Sequence, residues 1–142
     1  MNIYFSCSIT GGRKDEDEYG EIVRYLISLG HEVPTSHLAN SEVRAEEAAI
    51  DPEEVYERDI AWVRDCDVLI AETSTPSHGV GYEIAEAVNT GKPVLCCHKK
   101  GQKISKILSG NTSEKYQVIA YENMEMLLVE ISQFLKEYGA AK

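Results

Sequence analysis

The chain has 142 residues, of which 43% are apolar and 27% are charged, and its net charge is -10 at pH 7. This length and balance predict one globular domain, residues 1–142, because a chain of this size can bury a core of its own. An acidic protein repels polyphosphate, so the composition argues against a nucleic acid polymer as partner but leaves room for a small anion held by local positive groups.

Apolar runs alternate with amphipathic stretches along the chain, a pattern typical of α/β folds. In chain order, strands are predicted at 2–9, 31–36, 67–73, 92–98 and 116–121. Helices are predicted at 18–30, 52–65, 81–91, 104–110 and 124–138. This alternation predicts a Rossmann-like (flavodoxin-like) three-layer sandwich, in which a five-stranded parallel sheet is covered on both faces. The long polar connection at 38–51 is typical of a lid or a binding loop.

The cysteines and the amino-terminal residues bear on the compartment. Four cysteines lack any metal-ligand spacing, so we expect buried thiols in a reducing environment. The apolar amino-terminal residues lack the basic region and the cleavage pattern of a signal peptide, and no run approaches the length of a transmembrane helix. The sequence therefore predicts a cytoplasmic protein without a membrane partner.

Asp59 interrupts the apolar face of the helix predicted at 52–65. On a helical wheel, Asp59 lies in the middle of an arc formed by Val55, Tyr56, Ile60, Trp62 and Val63. A carboxylate that faces a core is costly unless it is hydrogen-bonded or keeps its proton. Asp59 is therefore either a buried acid that caps a neighbouring backbone or a site acid that points into a cleft.

The segment SHGVGYE, residues 77–83, joins the third predicted strand to a helix, and such junctions commonly hold the sites of α/β sheets. Gly79 and Gly81 leave room for a ligand beside the backbone, Ser77 adds a hydroxyl, and a helix N-terminus favours an anion. Glu83 either complements the helix dipole or acts as a nucleophile beside a bound sugar phosphate.

A second small and polar junction follows the first predicted strand. Ser8, Thr10, Gly11 and Gly12 form either an ordinary turn or part of an anion cradle. Tyr4, inside the strand, is interpreted as a core aromatic whose hydroxyl needs a partner.

Basic residues offer one further candidate region and no metal site. Lysines gather in this acidic chain at Lys99, Lys100, Lys103 and Lys106, where they form either a solvated loop or a local anion site. His37 and His78 have no companion at metal-ligand spacing, so neither a metal nor another cofactor is predicted.

Several segments together resemble the nucleoside 2-deoxyribosyltransferase superfamily, and in particular its 2'-deoxynucleoside 5'-phosphate N-hydrolase branch. The resemblance covers most of the chain and is carried by IYFSCSITGGR (3–13), TSHLA (35–39), ERDIAWVRDCDVLIAE (57–72), PSHGVGYEIAEAV (76–88), GKPVLC (91–96) and KISKI (103–107). It implies a five-stranded parallel sheet and, as activity, cleavage of the bond between a nucleobase and 2-deoxyribose 5-phosphate in a small-molecule nucleotide, without a cofactor.

The resemblance also implies roles for individual residues. It places the nucleophile on Glu83, the assisting acid on Asp59 and a hydrogen-bonding tyrosine on Tyr4. Substrate-binding positions are implied at Ser8, Ile9, Thr10, Gly11, Gly12, His37, Ser77, Gly79 and Gly81. A further phosphate-binding serine, Ser105, is expected to come from the other subunit of a homodimer.

One position departs from the branch, and several functions stay open. Proteins of the branch have an arginine where this chain has Thr10, which leaves Arg13 or a lysine from 99–106 as the cation that could contact the phosphate. The alternatives are a deoxyribosyltransferase, in which a second base intercepts the sugar ester, an N-hydrolase of ribonucleotides such as cytidine monophosphate, and a non-catalytic nucleotide-binding domain.

Overall fold

A computed structural model describes residues 1–9, 14–40 and 42–139, with the side chains of Ala39 and Arg44 excepted. Its centre is a parallel sheet of four strands, β1 (Ile3–Ser6), β2 (Val68–Glu72), β3 (Val94–Lys99) and β4 (Tyr116–Tyr121), which lie side by side in that order. All three neighbouring pairs are parallel, as the alternation of strands and helices predicts.

The prediction of a fifth strand at 31–36 is wrong for the residues that the structure describes. This segment makes one isolated bridge, between Asn2 and Glu32. Pro34 has no N–H to donate, so the ladder cannot continue past it. The side-chain hydroxyl of Thr35 accepts the N–H of Phe5 at 3.0 Å instead, and the chain then enters a 3₁₀ helix at Ser36–Ala39.

Six α-helices occur in the described residues: α1 (Glu16–Ser28), α2 (Val43–Ala48), α3 (Pro52–Asp65), α4 (His78–Asn89), α5 (Lys106–Ser109) and α6 (Met124–Gly139). Five of them match the predicted helices within three residues at each end. The sixth, α2, lies with the 3₁₀ helix inside the segment predicted as a long loop. No described helix is long and apolar enough to cross a membrane.

The sheet has a core on each of its faces, so the molecule has three layers and a Rossmann-like α/β fold. One core joins β1, β2 and β3 to α1 and α6 through residues that include Ile3, Phe5, Ile70, Ile22, Leu26 and Ile131. The other joins the opposite sheet face to α3 and α4 through Tyr4, Leu69, Val94, Val63, Ile84 and Ala87. The four cysteines are buried and free, as predicted.

Candidate active site

The site is built where β1 meets α4. Tyr4 and Ser6 are two residues apart on β1, so their side chains leave the same face of the sheet, which is the face covered by α3 and α4. The Tyr4 hydroxyl donates to Glu83 Oε1 at 3.0 Å, and the Ser6 hydroxyl donates to Glu83 Oε2. Both carboxylate oxygens of Glu83 are therefore held by side chains of one strand.

Ser6 was missed by the sequence-based reasoning. The signal that could have found it is the period of a strand, since Ser6 shares a face with Tyr4 and precedes the polar junction. The hydroxyl lies on a fully buried residue and needs an acceptor, which Glu83 supplies.

Burial raises the pKa of Glu83 to about 7, although the hydrogen bonds from Ser6 and Tyr4 act in the opposite direction and the charge of Asp59 adds to the rise. Burial, and then the charges of Glu83 and Asp59, raise the pKa of Tyr4 far above its ordinary value. Tyr4 therefore keeps its proton and remains a hydrogen-bond donor. With a pKa of about 7, Glu83 is partly ionised near neutral pH.

Asp59 lies on α3 and faces the same cleft as Glu83. Its side chain is 18% exposed, and its Oδ1 accepts a hydrogen bond from Arg58 Nε at 2.8 Å. Asp59 therefore points into the cleft, and its charge raises the pKa of both Tyr4 and Glu83.

A cleft of about 610 Å³ opens above the two carboxylates. Its apolar wall is formed by Ile9, Leu38, Ala48, Ile50, Val55 and Val80. Ser77 and Gly79 at the start of α4 also line it, as does Glu47 of α2. A cleft of this size with few polar groups suits a small organic ligand.

The residues implied in phosphate binding lie at the two strand-to-helix junctions. Ser8 is fully buried, and its hydroxyl has no hydrogen-bond partner among the described residues. Ser77 is the N-cap of α4, and its Oγ accepts the N–H of Val80 at 3.4 Å. The helix begins at His78, so Gly79 and Gly81 belong to its first turn rather than to the predicted loop. A methyl group at Gly81 would meet nothing within 4 Å, so the helix surface is open there.

Three further implied positions, Thr10, Gly11 and Gly12, lie outside the described residues, as does Arg13. The structure therefore bears on the carboxylates, on Tyr4 and on the serines, and the glycine junction after β1 stays a prediction.

Ser105 is not brought to Glu83 within one chain. It is the N-cap of α5 and lines a second cleft of about 340 Å³, to which Ser77, His78 and Lys103 also contribute. In the lysine cluster, Lys99 pairs with Asp15 at 2.7 Å, and Lys100 pairs with Glu122.

His37 stands behind the cleft wall. Its Nε2 lies 3.1 Å from Glu47 Oε1, and its ring packs edge-on against Trp62 with the ring centroids 6.0 Å apart. His37 is not among the residues that line the cleft, so its predicted contact with substrate stays a prediction.

Known proteins are similar to this chain over most of its length. The sequence model of the nucleoside 2-deoxyribosyltransferase family matches residues 3–129, and the chain belongs to this family. A protein of Methanococcoides burtonii, named as a 2'-deoxynucleoside 5'-phosphate N-hydrolase, is 43% identical over 112 residues, which cover 79% of this chain and 92% of the relative. The 5-hydroxymethyl-dUMP N-hydrolase of Mus musculus is 42% identical over 130 residues, which cover 88% of this chain and 75% of the relative.

A solved structure shares the fold. The CMP N-glycosidase of Clostridium botulinum superposes with a TM-score of 0.71 at 20% identity, and the match covers 94% of this chain and 99% of that one.

Proposed function

We propose that the protein hydrolyses the N-glycosidic bond of 2'-deoxynucleoside 5'-monophosphates and releases a free nucleobase and 2-deoxyribose 5-phosphate. The observation that carries this proposal is the Glu83 carboxylate, which two β1 hydroxyls hold at the floor of a cleft that it shares with Asp59. The names of the relatives from Methanococcoides burtonii and Mus musculus support the same reaction.

In the proposed reaction, a Glu83 oxygen attacks the anomeric carbon as the bond from that carbon to the base nitrogen breaks. The transition state resembles an oxocarbenium ion, and the product of this step is a covalent ester between the sugar and Glu83. The base leaves with the electron pair of the broken bond and takes up a proton. Water then adds to the anomeric carbon and gives up a proton, either to the group that protonated the base or to solvent, and Glu83 leaves as a carboxylate.

The neighbours of Glu83 divide the remaining work. Tyr4 and Ser6 orient the carboxylate, and their hydrogen bonds favour the ionised form that attacks. Asp59 assists departure of the base, either by delivering the proton or by keeping Glu83 in place. A sugar that lacks the 2-hydroxyl suits this route, because no electron-withdrawing oxygen destabilises the developing cation.

The 5-phosphate is proposed to lie against Ser8, Ser77 and the first turn of α4. Ser8 supports this assignment because its buried hydroxyl has no partner among the described residues. Ser77 supports it because its Oγ accepts from Val80 while its own hydrogen remains available to a phosphate oxygen. Ser105 is proposed to act from the partner subunit of a homodimer, and the protein is proposed to work in the cytoplasm.

Incubation with deoxynucleoside monophosphates, the matching nucleosides and ribonucleotides, with and without added free base, tests the proposal. Chromatography should show free base and 2-deoxyribose 5-phosphate from the deoxynucleoside monophosphates. Glu83→Gln should lower turnover by at least about a thousandfold, because it removes the nucleophile at nearly constant shape. Glu86→Gln, on the same helix but outside the cleft lining, is the matched control.

Each other outcome contradicts the proposal in a different way. Near-normal turnover in Glu83→Gln would remove the mechanism. A new nucleoside that forms only with added base would identify a transferase, and cleavage of cytidine monophosphate alone would identify a ribonucleotide hydrolase. Binding without any product would favour a nucleotide-binding domain.

A further inference from the structure

Arg58 connects two carboxylates from different parts of the chain. Its Nε donates to Asp59 Oδ1 at 2.8 Å, and its Nη2 lies 3.0 and 3.1 Å from the two oxygens of Glu47. The Arg58 side chain is 22% exposed, and the side chains of Asp59 and Glu47 are 18% and 13% exposed. These ion pairs are screened less than surface pairs, because all three side chains are mostly withdrawn from solvent.

The bond between Arg58 and Asp59 requires outside support. Adjacent residues of a helix do not face each other, so the Arg58 side chain must fold along α3 to reach Asp59. Trp62 lies one turn further on, and its ring centroid is 5.0 Å from Arg58 Cζ, which places the guanidinium against an aromatic face. Both oxygens of Glu47 accept from Nη2 of the same guanidinium.

Glu47 is committed to structural contacts although it lies at the rim of the cleft. One of its oxygens is 3.1 Å from His37 Nε2, and both contact Arg58. Its helix, α2, has six residues and no side-chain cap at its N-terminus. So short a helix is marginal alone, and tertiary contacts must hold it. Its buried Val43 and the Glu47 ion pair are such contacts.

Arg58 does not line the cleft above Glu83, and its contact with the site is the hydrogen bond to Asp59, while its charge acts to lower the pKa of Tyr4. Burial lowers the pKa of Arg58, but its hydrogen bonds to Asp59 and Glu47 raise the pKa by more, and the guanidinium stays charged. That charge offsets the negative charge of Asp59 beside Glu83 and fixes the direction in which the Asp59 carboxylate points.

We propose that Arg58 is a positioning residue, which orients Asp59 towards Glu83 and ties Asp59 through Glu47 to the cleft wall formed by α2. This inference rests on the proposed function for its catalytic consequence. The link from Asp59 through Arg58 and Glu47 to α2 can be tested without measuring turnover.

The test compares three variants, Arg58→Gln, Arg58→Lys and Glu47→Gln, with a control on the same helix. The control is Arg64→Gln, which breaks the ion pair between Arg64 and Glu86, and the Arg64 side chain is 61% exposed. Steady-state kinetics on a deoxynucleoside monophosphate and hydrogen exchange of residues 43–48 are measured for each. Arg58→Gln should lower kcat about tenfold to a hundredfold, because a misdirected catalytic group is costly. Glu47→Gln leaves the bond to Asp59 and should raise KM with kcat within about threefold of wild type.

Hydrogen exchange in α2 should become faster in Arg58→Gln and Glu47→Gln, and should stay unchanged in Arg64→Gln. A kcat of Arg58→Gln equal to that of Arg64→Gln would overturn the positioning role. Unchanged exchange in α2 would overturn the tie to the cleft wall. If Arg58→Gln does not fold, Arg58→Lys takes its place, because it also removes the Nε donor. A kcat of Arg58→Lys equal to that of Glu47→Gln would refute the inference. If wild type shows no turnover, the proposed function fails, and the exchange data still decide the tie.

Discussion

Two opposing influences act on the pKa of the Glu83 carboxyl group. Burial raises its pKa to about 7, and the hydroxyls of Ser6 and Tyr4 pull the pKa down by donating to the ionised form. In the proposed mechanism only the ionised carboxylate attacks the sugar, so activity should be lost as the pH falls through this pKa.

We predict that kcat/KM of wild type rises with pH through a midpoint near the Glu83 pKa of about 7. Ser6→Ala removes one donor, so the midpoint should move upward by roughly one pH unit. Initial rates at low substrate concentration, measured from about pH 5 to about pH 9, would show the shift of the midpoint. The substrate phosphate also titrates near neutrality, but it contributes equally to both enzymes. An unchanged midpoint in Ser6→Ala would mean that another group controls the profile.

Glu72 is a second buried carboxylate, at the end of β2 and away from the cleft. It is fully buried and accepts from the backbone and hydroxyl of Ser74 and from the Tyr121 hydroxyl at 3.1 Å. Burial raises its pKa to about 7 in spite of these donors. A carboxyl group whose pKa is raised on folding stabilises the fold while protonated, and that contribution is lost as the pH rises through the folded value.

Glu72→Gln should therefore change the pH dependence of stability. The free energy of unfolding of the variant, relative to wild type, should rise by up to about 3 kcal/mol between pH 5 and pH 8, because the amide does not ionise. Urea unfolding at both pH values measures this difference, and Glu54→Gln, an exposed position on α3, is the control. A constant difference between Glu72→Gln and wild type would show that Glu72 titrates normally.

At the scale of elements, the sequence predicts best where the local pattern and the tertiary environment agree. The helix at 52–65 is found with the predicted bounds, because Asp51 caps it, Pro52 opens it and its apolar residues keep helical spacing. The segment 31–36 has the composition of a strand, but Pro34 and the Thr35 hydroxyl end its pairing after one bridge. The short α2 has little local signal, since Val43 and Glu47 are held by distant residues.

Ser77 combines an element-level role with a proposed role in phosphate binding, and two substitutions separate them. Ser77→Ala should destabilise the protein by about 1 kcal/mol, because α4 loses its N-cap, and should raise KM several-fold. Ser77→Asp should keep near-wild-type stability, since Asp is also a good cap, but should raise KM for a monophosphate by more than about tenfold through charge repulsion. Thermal unfolding ranks the two variants by stability, and steady-state kinetics ranks them by KM. Wild-type KM in Ser77→Asp would remove Ser77 from the phosphate site.

At the scale of the whole molecule, the alternation of apolar and amphipathic segments predicts the layers. The family resemblance, rather than any local pattern, predicts that Tyr4, Asp59 and Glu83 lie together. Strand order places β1 beside β2, and α3 and α4 cover the same sheet face, so three residues distant in sequence converge. Ser6 and Arg58 escape prediction because each gains its role from a partner on another element. The number of strands escapes prediction because it depends on whether the segment 31–36 pairs with β1 at the edge of the sheet, and this segment makes only one bridge there.

Ser105 poses the remaining question at this scale, because it lies in a cleft that does not contain Glu83. If Ser105 serves the partner's site, two inactive variants should complement each other. Glu83→Gln removes the nucleophile, and Ser105→Asp keeps the cap of α5 while it repels the substrate phosphate. In a mixed dimer, one site would carry both changes and the other would carry neither. Co-expression with two affinity tags would allow the mixed dimer to be isolated.

The mixed dimer should regain about half of the wild-type turnover per dimer, because one of its two sites is intact. Turnover that stays at the mean of the two parent variants would show that Ser105 serves the site of its own chain or no site at all. Recovery would in addition show that the dimer is needed for the reaction, since neither chain of the pair has a complete site by itself. The residual activity of each parent homodimer, measured at the same substrate concentration, sets the baseline for this comparison.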